Sequence, residues 1–304
     1  GLALIVVVMV NGLGTFWPAK LTAFDLKSGQ SVLGEVLKEE ALPSEPGRRI
    51  QLKVGNRDLY GMDFRWIRED DVVKRHQPDH VAAIEREEYG NFYGVLTEVV
   101  APGVNSQLPL WEQLVAGREA IGPLEDKLDE IDGHINDINR ELQQLNNKDL
   151  IYAYEGIKEG QPQRAAIAAE MSDLKKSFSH WMVEQGKQKQ LLQGYYANFT
   201  DINGRPAHIA LAEIVRSFQP NDLNVLQRAG IYLDKLIELF VGEPRESNTE
   251  GGLFPAIFGT VLLIFVMSLF SFPLGVIAAI YLSEYAGEGL MVRLVRIAVN
   301  NLAG

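Results

Sequence analysis

From Gly251 to Ser283 the chain carries no charged side chain, and Leu253 to Tyr281 within that stretch is almost wholly apolar. A buried core helix needs far less. At about 1.5 Å rise per residue, a hydrocarbon layer of about 30 Å takes roughly 20 residues, so this run is long enough to cross with length left for tilt or a kink. The expectation is an integral membrane protein with a large polar part on one side.

The ends of the chain extend this reading. Gly1 to Val10 is apolar and lacks an initiator Met and any Lys or Arg, and it is followed by Asn11, Gly12 and Gly14. Ten residues are too few to span a bilayer. A signal peptide is the rival, but it needs a basic start and a small-residue cleavage site, and Trp17 and Pro18 suit an interfacial exit better. Residues 1–18 are therefore expected to be the outer part of a truncated membrane helix, and the chain to be a fragment of a longer polytopic protein. Arg293 and Arg296 follow the long apolar run, whereas Glu243, Arg245, Glu246 and Glu250 precede it. Because Lys and Arg favour the cytoplasmic side, the span is expected to run from outside to inside, with residues 19–250 outside.

The formal net charge is −11, and it belongs to the part before the span, because Glu284 and Glu288 cancel Arg293 and Arg296. Such acidity repels a phosphate backbone and argues against a nucleic-acid partner. With no cysteine in the chain, disulfide staples and thiolate chemistry are excluded.

Two periodicities divide the extramembrane part. Ser31 to Lys38, Arg49 to Leu59, Met62 to Ile67, Val81 to Glu85 and Phe92 to Val100 are short runs of β-branched and aromatic residues separated by Gly, Pro, Asn and Asp. They predict a small barrel or sandwich within residues 19–105. Leu124, Leu128, Ile131, Ile135, Ile138, Leu142 and Leu145 then recur at alternating spacings of four and three, the seam of a coiled coil on a helix expected from about Pro123 to Tyr154. After Gly156, Gly160 and Pro162 a second series follows at Ile167, Met171, Leu174, Phe178, Trp181, Leu192, Tyr195 and Phe199, interrupted by Gln185 and Gln188. An antiparallel helical hairpin over residues 106–204, projecting roughly 45–50 Å, is expected. Residues 205–250 read as a helical connector with a helix capped by Asn221 and ended by Gly242 and Pro244. It packs on the arm or lies in the membrane interface, and its Asp222, Asp234 and Glu238 favour the arm. The fold class is thus an α+β membrane protein fragment, closed by the span at 251–285 and by residues 286–304 as a cytoplasmic loop and the start of another membrane segment.

Residues fit for chemistry are few. His76 and His80 stand four apart, but Pro78 between them forbids the helix that would bring both rings to one face. His134, His180 and His208 have no ligand spacing. Gly12-Leu13-Gly14 lacks the lysine of a phosphate loop and the third glycine of a dinucleotide turn. Nothing predicts a catalytic residue, a metal or a cofactor. Arg245, the cation nearest the outer mouth of the span, is a candidate anion contact, although anchoring the helix end explains it more simply. In the span, Pro273 removes a backbone donor while Gly259 and Gly275 permit close helix approach, so the helix is expected to bend and to pack on other helices.

The segment Pro244-Arg245-Glu246-Ser247-Asn248-Thr249-Glu250-Gly251-Gly252-Leu253-Phe254-Pro255-Ala256-Ile257-Phe258-Gly259-Thr260 resembles the start of a membrane helix in the PstA-type permease of phosphate ABC importers. Pro273 to Ala286 resembles the inner half and cytoplasmic exit of that helix, Arg293 to Gly304 the beginning of the next, and Asn11 to Pro18 the outer end of the family's first. The resemblance covers under a third of the chain. Some 230 residues intervene where typical members have a short loop, as in the subgroup with an enlarged periplasmic domain. The resemblance implies a multi-pass subunit of the bacterial inner membrane that moves inorganic phosphate and is not itself an enzyme. Its partners would be a second permease subunit, cytoplasmic ATPase subunits, a periplasmic phosphate-binding protein and membrane lipid. The competing expectation is a membrane-anchored periplasmic adaptor that recruits partners through its β module and arm and moves no solute.

Overall fold

Short strands at residues 21–100 and 196–218, with the two long helices that separate them, make up most of the chain before residue 220. The computed structural model describes residues 12, 14, 16–42, 46–242, 244–245, 250–287 and 289–303, so most of residues 1–18, read as the outer part of a membrane helix, lies outside them. The fold is α+β, with two five-stranded antiparallel sheets and long helices. The chain divides into two units, Gly1–Tyr232 and Leu233–Gly304.

In the first unit, β1 (Leu21–Leu26), β2 (Ser31–Ala41), β3 (Arg48–Lys53), a one-turn α1 (Arg57–Tyr60), β4 (Phe64–Arg68) and β5 (Val72–His76) form a sheet in the order β4-β3-β2-β1-β5. A 3-10 turn, Glu69–Asp71, joins the last two strands. The next five strands are β6 (Ala82–Arg86), β7 (Asn91–Val100), β8 (Tyr196–Thr200), β9 (Pro206–Ala210) and β10 (Ile214–Phe218), in the order β10-β6-β7-β8-β9. Here too a 3-10 turn, Leu211–Glu213, precedes the last strand.

The two sheets share more than strand order. In the first, Asp25 pairs with Lys74 and Leu26 with Val72 across a bulge; in the second, Glu85 pairs with Arg216 and Arg86 with Ile214 across the same bulge. The β2–β3 ladder slips between Val36 and Lys38, and the β7–β8 ladder slips between Leu96 and Glu98. Gly34 and Gly94 hold matching places, and a Cβ on either would collide with a neighbouring strand's carbonyl, that of Lys53 or Thr200. This is one five-stranded unit used twice. The hairpin interrupts the second copy between its second and third strands, so the offset is 60 from Gly34 to Gly94 but 142 from Val72 to Ile214.

Each copy closes its own core. Phe24, Val32, Ile50, Leu52 and Ile67 fill the first; their counterparts Ile84, Phe92, Ala197, Phe199 and Ile209 fill the second. A third cluster joins the copies through matching positions, Leu21 with Val81, Ala23 with Ala83 and Leu33 with Tyr93. Such use of one patch on both sides is how a two-fold interface is built.

The helical hairpin consists of α2 (Leu110–Tyr154) and α3 (Pro162–Gln193). The predicted seam is there, with Ile131, Ile135, Ile138, Ile167 and Leu192 buried. Three features differ from expectation. Helix α2 begins at Leu110 and runs through Pro123, because Leu114 and Ile121 are buried in the second copy's core and reward continuing the helix below the proline. Gly117 lets that helix approach Leu211 and Ala101 closely. Residues 196–200, 206–210 and 214–218, expected to continue the hairpin and then a helical connector, are strands that complete the second sheet. Gln188 does not break the seam, since it is buried and its Nε2 donates to the Leu124 carbonyl at 2.9 Å.

Helix α4 (Val225–Val241) starts in this unit, and its first turns lie against the joint between the copies rather than on the arm. Ile231 packs there, and the Tyr232 ring meets Trp17 at 5.7 Å. Arg228, 9% exposed, donates to the carbonyls of Pro18 at 3.0 Å and Pro220 at 2.6 Å, drawing together the two ends of the duplicated region.

The second unit holds the end of α4, a two-residue ribbon of β11 (Pro244–Arg245) with β12 (Glu250–Gly251), then α5 (Phe254–Ile280), a π-turn (Tyr281–Tyr285) and α6 (Leu290–Ala303). Helix and π-turn together, Phe254–Tyr285, are 32 residues, the one stretch among the described residues long and apolar enough to cross a membrane.

Candidate functional site

The first unit contains a cavity of about 370 Å³ where the two copies meet. Gln30, Ser31, Asn56, Tyr60, Arg65, Tyr93, Asp201, Asn203 and Arg205 supply its polar lining. Its geometry follows from the duplication. Asn56 and Asn203 occupy corresponding places three residues beyond Lys53 and Thr200, and each reaches across to the other copy. The Tyr93 N–H donates to Asn56 Oδ1 at 2.6 Å while Asn56 Nδ2 donates to the Tyr93 carbonyl at 2.9 Å. Asn203 does the same for Ser31, accepting from its N–H at 3.1 Å and donating to its carbonyl at 3.0 Å. An amide side chain here replaces a neighbouring strand, satisfying backbone groups that would otherwise be orphaned. Asn56 is left-handed at φ 54, a conformation Asn tolerates well.

The rest of the cavity wall is similarly occupied with itself. The Tyr60 hydroxyl donates to Asp201 and accepts from Asn203 Nδ2 at 3.0 Å, and Arg205 lies over the Tyr60 ring at 4.8 Å. Asp201 also accepts the N–H groups of Asn203 at 2.9 Å and Arg205 at 2.6 Å, which shapes the β8–β9 turn. Burial, and then the Asp201 hydrogen bond, raises the Tyr60 pKa. Burial likewise pushes Tyr93 well above the usual phenol value, and its hydroxyl donates to Glu35 at 2.7 Å. Both phenols stay protonated at neutral pH. The wall is built to join two copies. Nearby, Arg86 is 3% exposed and clamps Asp58 with two bonds of 2.9 and 3.0 Å. Burial alone would raise the Asp58 pKa, but the Arg86 hydrogen bond and charge outweigh it and hold it low.

The histidines singled out by sequence do not converge. His80 Nδ1 lies 3.1 Å from Asp222, and His76 Nδ1 lies 3.9 Å from Asp25. His134 stacks on Trp181 at 4.3 Å, with His180 edge-on to the same ring at 5.6 Å; His208 contacts Asn198 at 3.0 Å. Among the described residues no group of three His, Asp or Glu side chains is placed to hold a metal ion.

In the second unit, every side chain of α5 is exposed. The helix continues through Pro273, and nothing lies within 4 Å of where a Cβ would stand on Gly259 or Gly275. These smooth, open positions are suited to close approach by another helix. Thr260 Oγ1 donates to the Ala256 carbonyl, so the one hydroxyl of the first turns is satisfied within the helix. Arg245 forms an ion pair with Glu238 at the end of α4, which ties the ribbon to that helix. The sequence offered Arg245 as an anion contact or as an anchor of the helix end; in the structure its guanidinium meets the Glu238 carboxylate. Comparisons with protein-family models, with curated proteins and with solved structures found no match to this chain.

Proposed function

We propose that this chain is part of a membrane-spanning permease subunit of an ABC importer for inorganic phosphate, of the PstA type, in the bacterial inner membrane. The observation that carries the reading is the 32-residue apolar stretch Phe254–Tyr285, which coincides with the residues whose order resembles that family. Its fully exposed surface and open Gly259 and Gly275 support a helix that gains its packing from lipid and from other helices. On this reading the permease does no covalent chemistry. A second permease subunit shares the pathway, cytoplasmic ATPase subunits supply the energy, and a periplasmic binding protein delivers phosphate. The duplicated β region and its hairpin then stand in the periplasm as an assembly or docking domain.

The deciding experiment is phosphate uptake by cells whose only phosphate importer contains the full-length protein. A charge at the middle of α5, Leu263→Arg, is costly in a hydrocarbon layer and at a helix-packing surface and should abolish uptake. Uptake at the wild-type rate with this variant inserted and expressed would reject the permease. A membrane-anchored adaptor is the second reading, favoured by the hairpin, whose arm of 32 and 45 residues is far larger than a packing element needs. Under it, cells lacking the protein keep normal phosphate uptake.

A further inference from the structure

We propose that the exposed apolar stripe on the C-terminal half of α4, formed by Leu233, Ile237 and Phe240, is seated in the interfacial layer of a lipid bilayer. The inference rests on the reading of α5 as a membrane span. The three side chains are 57%, 62% and 59% exposed. Spacings of four and three place them on one side of the helix, within roughly 60° of one another at 100° per residue. Three large apolar groups aligned and open to water on one short helix are a surface awaiting an occupant.

Two observations identify lipid as that occupant. The first is continuity. The Leu253 N–H donates to the Leu239 carbonyl at 2.8 Å, and Gly252 meets the Gly242 carbonyl so closely that only glycine fits. The last turn of α4 is therefore tied to the residue just before α5 begins. Wherever the apolar helix enters the hydrocarbon, the stripe's Phe240 end is held at that boundary, the depth at which interfacial helices lie. The second is charge. Sequence alone counts Asp234 and Glu238 against an interfacial helix, because these helices are seldom acidic. The structure pairs Glu238 with Arg245, which removes one of the two carboxylates from the count. Because Glu243, Glu246 and Glu250 follow the helix, the surface it suits is neutral rather than anionic lipid.

The chain has no cysteine, so single labels are unambiguous. Ile237→Cys, Phe240→Cys, Asp234→Cys and Leu263→Cys, each carrying a nitrobenzoxadiazole fluorophore, would be reconstituted in phosphatidylcholine vesicles. Quenching is then read with iodide in the water and with nitroxide on the upper or the deep part of the lipid chains. The expected result is blue-shifted emission at 237 and 240, strong quenching by the shallow nitroxide and little by iodide. Position 234, about 100° round the helix from Leu233, should be quenched by iodide instead. Position 263 should answer to the deep nitroxide. If 237 and 240 are as open to iodide as 234 while 263 is lipid-quenched, the stripe proposal falls and the span stands. Shielding of 237 and 240 from both quenchers means protein covers the stripe, which also overturns the proposal. If lipid fails to reach 263, the span reading falls and takes the stripe with it.

Discussion

Two glycines show how single residues set the architecture of this protein. Gly34 and Gly94 sit where a strand crosses the carbonyl of its neighbour so tightly that no side chain fits, and they do so at the same place in each copy. Gly34→Ala or Gly94→Ala should therefore destabilise by about 1–3 kcal/mol, since the strand must shift to make room. Gly133, by contrast, lies in the interior of α2 with open space around it. Gly133→Ala should stabilise by about 0.5–1 kcal/mol through helix propensity. Urea unfolding midpoints in detergent test both signs, and a Gly94→Ala midpoint at or above wild type would refute the close approach. The paired asparagines belong to this scale too. Asn56 and Asn203 read in sequence as ordinary turn residues, because nothing local reveals that each will clasp the backbone of a strand from the other copy.

Among the elements, the hairpin was the most legible and its ends the least. Its seam is written in a strict alternation of four and three, and a long repetitive pattern of that kind survives any tertiary context. The boundaries moved because burial overrode local signals. Pro123 marked a helix start, yet the second copy's core draws Leu114 and Ile121 into the same helix; Tyr195 and Phe199 matched the seam spacing, yet Phe199 is 1% exposed within a strand. The tip is held by Arg164, which grips Asp149 at 2.7 and 2.8 Å and reaches the Ile157 carbonyl at 3.3 Å. The Arg164 hydrogen bond lowers the Asp149 pKa. A lowered carboxylate stabilises the fold above its unfolded-state pKa, and that contribution is lost as pH falls through the depressed folded value. Arg164→Ala should therefore speed amide hydrogen exchange across residues 149–165 at neutral pH, and the wild-type tip should show the same loosening only in acid, below the ordinary Asp range. Equal exchange in the two proteins at neutral pH would remove the clamp from consideration.

At the scale of the whole molecule, an inserted hairpin shares a core with the sheet it interrupts. Leu114, Ile121 and Leu192 from the base of the arm fill the second copy, whereas the rest of the arm stands outside it. Excising residues 126–186 and joining the stubs with a short linker should leave the near-ultraviolet circular dichroism of the β region intact. Excising 103–194 should cost on the order of 5 kcal/mol, the burial value of three large apolar side chains, and collapse that signal. A β region that tolerates the longer excision would show the arm to be a mere appendage. The duplication itself was present in the chain, in the likeness of Gln77-Pro78-Asp79 to Gln219-Pro220-Asn221, but the hairpin shifts the offset between copies and so hides any constant period. What the sequence determined alone was whatever depends on composition and period: a helix able to cross a membrane, a two-helix arm, an acidic region before that helix without cysteine. Such properties belong to each segment's own contact with water or lipid. Which strands pair, that five of them repeat, where Arg245 turns and which asparagines join the copies were decided only in three dimensions, because each depends on partners far away in the chain.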